Sequence, residues 1–108
     1  MTFGRRNRFD ELVERQLGLF AEDERDLLRE ADEAEEAWNR AGRDGAEEAY
    51  GDYQLVVDAL ADRLLDVRES YAGTLEDGAA SAYRAAFNRA AGKRYKRYTS
   101  LLADLDET

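Results

Sequence analysis

Apolar residues recur through the middle of the chain at Ala46, Tyr50, Tyr53, Val57, Leu60, Leu64, Val67 and Tyr71, alternately four and three residues apart. A 4-3 repeat held this long describes a helix built to lie along other helices, not a surface helix with a broader apolar face. It predicts a helix over about 46–72. Upstream, Val13, Leu17, Phe20, Leu27, Ala31, Ala34, Trp38 and Ala41 keep the same register, and Phe9, Leu12, Leu19 and Leu28 widen the stripe. The pattern predicts one long helix over about 8–41, interrupted only where Glu24 takes an apolar place. Between the two, Gly42-Arg43-Asp44-Gly45 supplies a stop, with a glycine placed as a C-cap and Asp44 available as the next N-cap. So short a connection predicts an antiparallel hairpin.

The third stripe is less regular. Ala80, Tyr83, Phe87, Ala91, Tyr95, Tyr98, Leu102 and Leu105 predict a helix over about 77–105. Its run of four-residue steps acts as a stutter that locally unwinds a supercoil, so the helix should straighten or bend near Ala91-Gly92. A turn is expected between 73 and 79, where Thr74 with Asp77 resembles a capping box and Asp77 alone is the other candidate cap. The expected fold is all-α: one domain over 1–108, with three long helices in an antiparallel up-down-up bundle and coiled-coil-like packing. Gly18, Gly51 and Gly92 fall inside predicted helices, either as tolerated surface glycines or as points of close backbone approach.

Composition supports helices and removes most chemistry. The chain of 108 residues has no proline and 38% charged residues, with Arg, Glu, Ala and Leu abundant. There is no cysteine and no histidine, which excludes disulfides, thiolate chemistry, the usual metal ligand and the usual neutral-pH base. Arg5, Arg6 and Arg8 are not followed by an apolar run, and no 18 apolar residues stand together. A cytoplasmic protein with no membrane segment and no cofactor is expected. The net charge is −9, which disfavours non-specific binding to nucleic acid or anionic membranes. Its distribution says more than its sum: residues 10–40 carry 12 acids and 4 bases, residues 41–78 carry 10 and 3, and residues 79–103 carry 6 bases and no acid.

Four groups of residues are candidates for function. Glu30, Glu33 and Glu36 step along one side of the first helix and Asp58, Asp62 and Asp66 along one side of the second, where they form either solvated faces or a divalent-metal site of the kind a phosphohydrolase uses. Glu24, at an interior register position, should pair with an arginine or sit where the bundle opens to water, and Arg63 lies at its height in an antiparallel hairpin. Arg89, Lys93, Arg94, Tyr95, Lys96, Arg97 and Tyr98, with Arg84 upstream, form a basic-aromatic run that can pair with the acidic stretch Glu30 to Glu36, bind a protein partner, or contact phosphates and bases. Finally, Leu55, Val56 and Leu65, with Ala49 and Ala61, give the second helix more apolar surface than two neighbours need, which points to self-association as a homodimer. The six tyrosines fall on or beside the seams, where core edges and interfaces favour them. The sequence therefore reads as a non-catalytic, self-associating helical interaction or scaffold module. A nucleic-acid-binding module and a carboxylate-metal phosphohydrolase are the alternatives.

Overall fold

A computed structural model describes residues 8–98 and Leu105. The described chain is all-helical, with four helices packed together: α1 (Asp10–Asp23), α2 (Arg25–Arg40), α3 (Ala46–Ala72) and α4 (Asp77–Arg94). The expectation of three long helices needs two corrections, at Glu24 and after Arg94.

The first predicted helix is divided in two at Glu24, whose φ of −105° and ψ of 28° leave the helical region. The hydrogen-bond ladder continues on both sides, from Glu24 N–H to the Phe20 carbonyl at 2.8 Å and from Leu28 N–H to the Glu24 carbonyl at 2.9 Å. Neither proline nor glycine causes the break. The two halves have different packing partners: α1 lies against α4, whereas α2 lies along α3. The carboxylate falls where the helix changes partner and no apolar contact is demanded. Its oxygens accept two hydrogen bonds from Arg63 Nη1, at 2.7 and 2.8 Å, the pairing expected from the hairpin register.

α2 and α3 form the antiparallel hairpin. Gly45 rather than Asp44 takes the N-cap position, without a side-chain cap. The turn after α3 is closed by Thr74 Oγ1, which donates to the Tyr71 carbonyl at 2.7 Å. The cap of α4 is neither Thr74 nor Asp77 but Glu76, which accepts from Gly78 N–H at 2.8 Å and Ala79 N–H at 3.2 Å. A carboxylate there also suits the positive end of the helix.

α4 runs antiparallel to α3, as the pairs Glu69–Arg84, Arg68–Asn88 and Tyr53–Tyr98 show. It ends at Arg94, short of the predicted Leu105. A turn follows, closed from Tyr98 N–H to the Tyr95 carbonyl at 2.9 Å, and the Leu105 carbonyl accepts from Asn88 Nδ2 at 3.4 Å. Tyr95, Tyr98 and Leu105 are all buried in the core. The predicted features at Leu102 lie outside the described residues.

The α3 seam is buried at Tyr53, Val57, Leu60 and Leu64, and then burial shifts to Ala61, Arg68 and Ala72 while Val67 and Tyr71 are only partly covered. The shift follows α4, which packs on one flank of α3 and leaves the other flank open.

Candidate interaction surfaces

Three of the six cations of the basic stretch, and both of its tyrosines, are used inside the molecule. Arg84 grips Glu69 with two donors, Nη2 to Oε1 at 2.8 Å and Nε to Oε2 at 3.0 Å. Arg89 approaches Asp10 at 3.7 Å. Arg97 pairs with Asp32 and, at 3.2 Å, with Glu35, while lying over the ring of Tyr98. Tyr98 donates its hydroxyl to Asp32 Oδ1 at 2.8 Å. Asp32 and Glu35 belong to the acidic stretch that the sequence singled out as the internal partner of this run. Tyr95 and Tyr98 are buried, so neither ring is offered for stacking, and the Tyr95 hydroxyl has no hydrogen-bond partner among the described residues. Burial raises the pKa of both phenols, and for Tyr98 the hydrogen bond it donates to the Asp32 carboxylate raises it further. Only Lys93, Arg94 and Lys96 of the predicted partner-binding set remain exposed and without an ion pair among the described residues.

Glu69 joins this pairing to a group the sequence reading missed. Arg68 is 1% exposed, the only buried charged side chain among the described residues. It donates to Glu69 Oε2 at 2.8 Å, to Asn88 Oδ1 at 2.8 Å and to the Leu105 carbonyl at 3.5 Å, so it holds α3, α4 and Leu105 together. The hydrogen bonds from Arg84, supported by Arg68, pull the Glu69 carboxyl down to about 2. An arginine one residue past a heptad position carries no sequence signal that distinguishes it from a solvated one. Only the drift of the α3 stripe puts it inside.

The predicted self-association residues do not form one patch. At about 100° per residue, Val56 and Leu65 stand on opposite flanks of α3, both partly buried against the core. Leu55 alone is fully presented, at 70% exposure.

A different surface lies along one flank of α3, in two stretches. On α3, Ala49, Asp52, Val56, Arg63, Val67 and Ser70 recur at heptad-like steps of three, four and seven residues and share one flank, beside the main seam. Towards α2 this flank lines a groove of about 420 Å³ floored by Ala34, Ala37, Ala49 and Val56. Towards α1 it lines one of about 400 Å³ with Leu19, Phe20 and Val67, which continues past Tyr71 to Thr74. The bond from Arg63 to Glu24 crosses between the two stretches. Leu19 stands at the rim, 60% exposed. The α1 stretch is open because, beyond the break at Glu24, α1 packs on α4 and not on α3.

The groove's rim is acidic. Glu30, Glu33, Glu48 and Asp52 border the α2 stretch, and Asp23 and Asp66 border the α1 stretch. None of the six has an ion pair or side-chain hydrogen bond among the described residues, whereas Asp10, Glu24, Asp32, Glu35 and Glu69 are each matched by an arginine from another element. Of the acid trios, Glu36 pairs with Arg40 and Asp58 accepts from Gln54. Among the described residues, no three acidic side chains gather in a way that can hold a metal ion, and no helix is long and apolar enough to cross a membrane.

At the hairpin tip, Trp38 stacks on Tyr53 at 5.2 Å and meets Tyr50 at 4.8 Å. Both Trp38 and Tyr50 occupy interior register positions yet are 37% and 44% exposed, because the α4 side of the core reaches only as far as Tyr98. No family model, no curated protein and no solved structure matches the chain.

Proposed function

We propose that the chain is a non-catalytic helical module that works by protein contact, through the uncovered face of α1, α2 and α3 rather than through the basic end of α4. The observation that carries this reading is Leu19, an exposed leucine at the rim of a groove whose floor, from Phe20 to Val67 and Tyr71, is apolar and is covered by none of the described helices. Apolar surface gathered in this way marks contact sites, in contrast to singly scattered side chains. The basic end of α4 supports a recognition role poorly, since its tyrosines are buried and most of its arginines are matched internally.

Self-association belongs to the same reading, and Leu55 is the side chain that favours it. Sedimentation at tens of micromolar tests it. A mass above the monomer that reverts with Leu55→Glu or Leu19→Asp supports self-association, and a monomer throughout removes the homodimer while leaving contact with another protein. The phosphohydrolase reading has an equally direct check. The expected melting temperature is the same with and without millimolar Mg²⁺ or Mn²⁺, since a bound ion would raise it.

A further inference from the structure

The fold already contains one solution to the problem of holding a basic helix. α4 and the turn after it carry no acid beyond Asp77, bury an alanine-rich stripe with Tyr83 and Phe87, and match their arginines to carboxylates on the three other helices: Arg89 to Asp10 on α1, Arg97 to Asp32 on α2, Arg84 to Glu69 on α3. The opposite flank of the hairpin repeats the recipe without the helix. It has small and apolar residues along its floor, and carboxylates on both banks that no described cation neutralises.

We propose that this groove is the docking site for a cationic amphipathic helix of a partner protein, a helix with the chemistry of α4: small and apolar side chains on one face, arginines or lysines flanking it. This rests on the reading of the chain as a contact module and names the class of its partner. Charge complementarity selects this occupant. Asp23, Glu30 and Glu33 on one bank face Glu48, Asp52 and Asp66 on the other, and like charges so arranged are relieved by cations placed between them. A second copy is a poor occupant. Two copies placed groove to groove would set acids against acids, and the one described cation that lines the groove is Arg63. Arg63, the cation that lines the groove, is held by Glu24, so it does not cancel the field of the rim.

The test uses the full chain and three synthetic peptides of about five turns, alike in an alanine-leucine face and differing only in carrying arginine, glutamine or glutamate on the flanks; a fourth has the arginine peptide's composition scrambled to destroy the stripe. Binding is read by fluorescence anisotropy and located by amide chemical shifts. The arginine peptide is expected to bind at least about tenfold more tightly than the glutamine and scrambled peptides. Its shifts should cluster at Leu19, Val67, Ala34 and Ala49. Raising salt should weaken it, and Leu19→Asp and the pair Asp23→Asn with Asp66→Asn should each weaken it about tenfold, all three being exposed positions that leave the fold intact. Equal binding of the glutamine peptide overturns the cationic class but leaves a contact groove. Equal binding of the scrambled peptide, or shifts confined to other faces, overturns the site. A dimer of the chain itself that Leu19→Asp dissociates assigns the groove to a second copy and overturns the proposal, while the contact-module reading survives.

Discussion

Arg68 shows how one side chain can carry a fold. A guanidinium removed from water is tolerated only if its donors are used, and here they reach Glu69, Asn88 and the Leu105 carbonyl. Arg68→Ala is expected to cost about 3 kcal/mol in chemical denaturation, because it leaves polar partners buried without a donor. Arg68→Lys should recover little of this, since one ammonium cannot span the positions that a planar fork reaches. Two glycines point the other way. A Cβ built on Gly18 or Gly51 meets nothing within 4 Å, so both are surface glycines and not close-approach points. Gly18→Ala and Gly51→Ala should each stabilise the protein by about 0.5–1 kcal/mol, seen as a higher melting temperature, because alanine restricts the unfolded chain and fits the helix.

At the scale of elements, the joints are ionic where they are not apolar. The contact between Glu24 and Arg63 holds the break between α1 and α2 against α3, but Arg63 is half exposed, so Arg63→Ala should cost under about 1 kcal/mol. The α3–α4 joint has a pH signature. Glu69 is held down to about 2 from an ordinary 4.5, so its charged form is favoured by folding. That contribution is present above the ordinary carboxylate range and is lost as pH falls from about 4.5 towards 2. Denaturation midpoints measured across this window should decline in the parent and decline less in Glu69→Gln, which starts less stable. Helix existence was legible in the spacing of Val13, Leu17, Phe20 and of Tyr53, Val57, Leu60, Leu64, all of which are buried. Helix ends were not. Glu76 acts as a cap through a side chain one carbon longer than the favoured cap residues, and the turn at Tyr95 replaces a stripe whose spacing is equally good for a continuing helix.

For the whole molecule, charge is unevenly arranged. Cations of α4 and the turn after it cover acids on one side of the hairpin, and six of the acids without an ion pair among the described residues border the groove on the other side. The pairing of the basic run with Asp32 and Glu35 was legible, since an acid-free helix beside an acidic one leaves few other electrostatic solutions. Glu24 with Arg63 was legible for the same reason, from hairpin register alone. The predicted contact residues Leu55, Val56 and Leu65 were not separable by composition, because their division among three directions follows from where α2 and α4 sit. The groove was legible only in fragments, as acids stepping along each helix and as Leu19 beside the first stripe.

Periodicity, the glycine pair at 42 and 45, and the absence of proline, cysteine and histidine were enough to determine an all-helical chain with an antiparallel hairpin and no thiol or imidazole chemistry. These are local properties: each depends on residues a few positions apart. Tertiary structure alone decided that the first helix breaks at Glu24, that α4 stops at Arg94, that Arg68 is interior and that Val67 and Tyr71 line an open groove. The reason is common to all four. A heptad stripe specifies that a face must be covered but not by which neighbour, and the partner is settled when helices compete for the same apolar surface. α1 packs on α4, and the flank of α3 that it leaves uncovered is where contact with another molecule is expected.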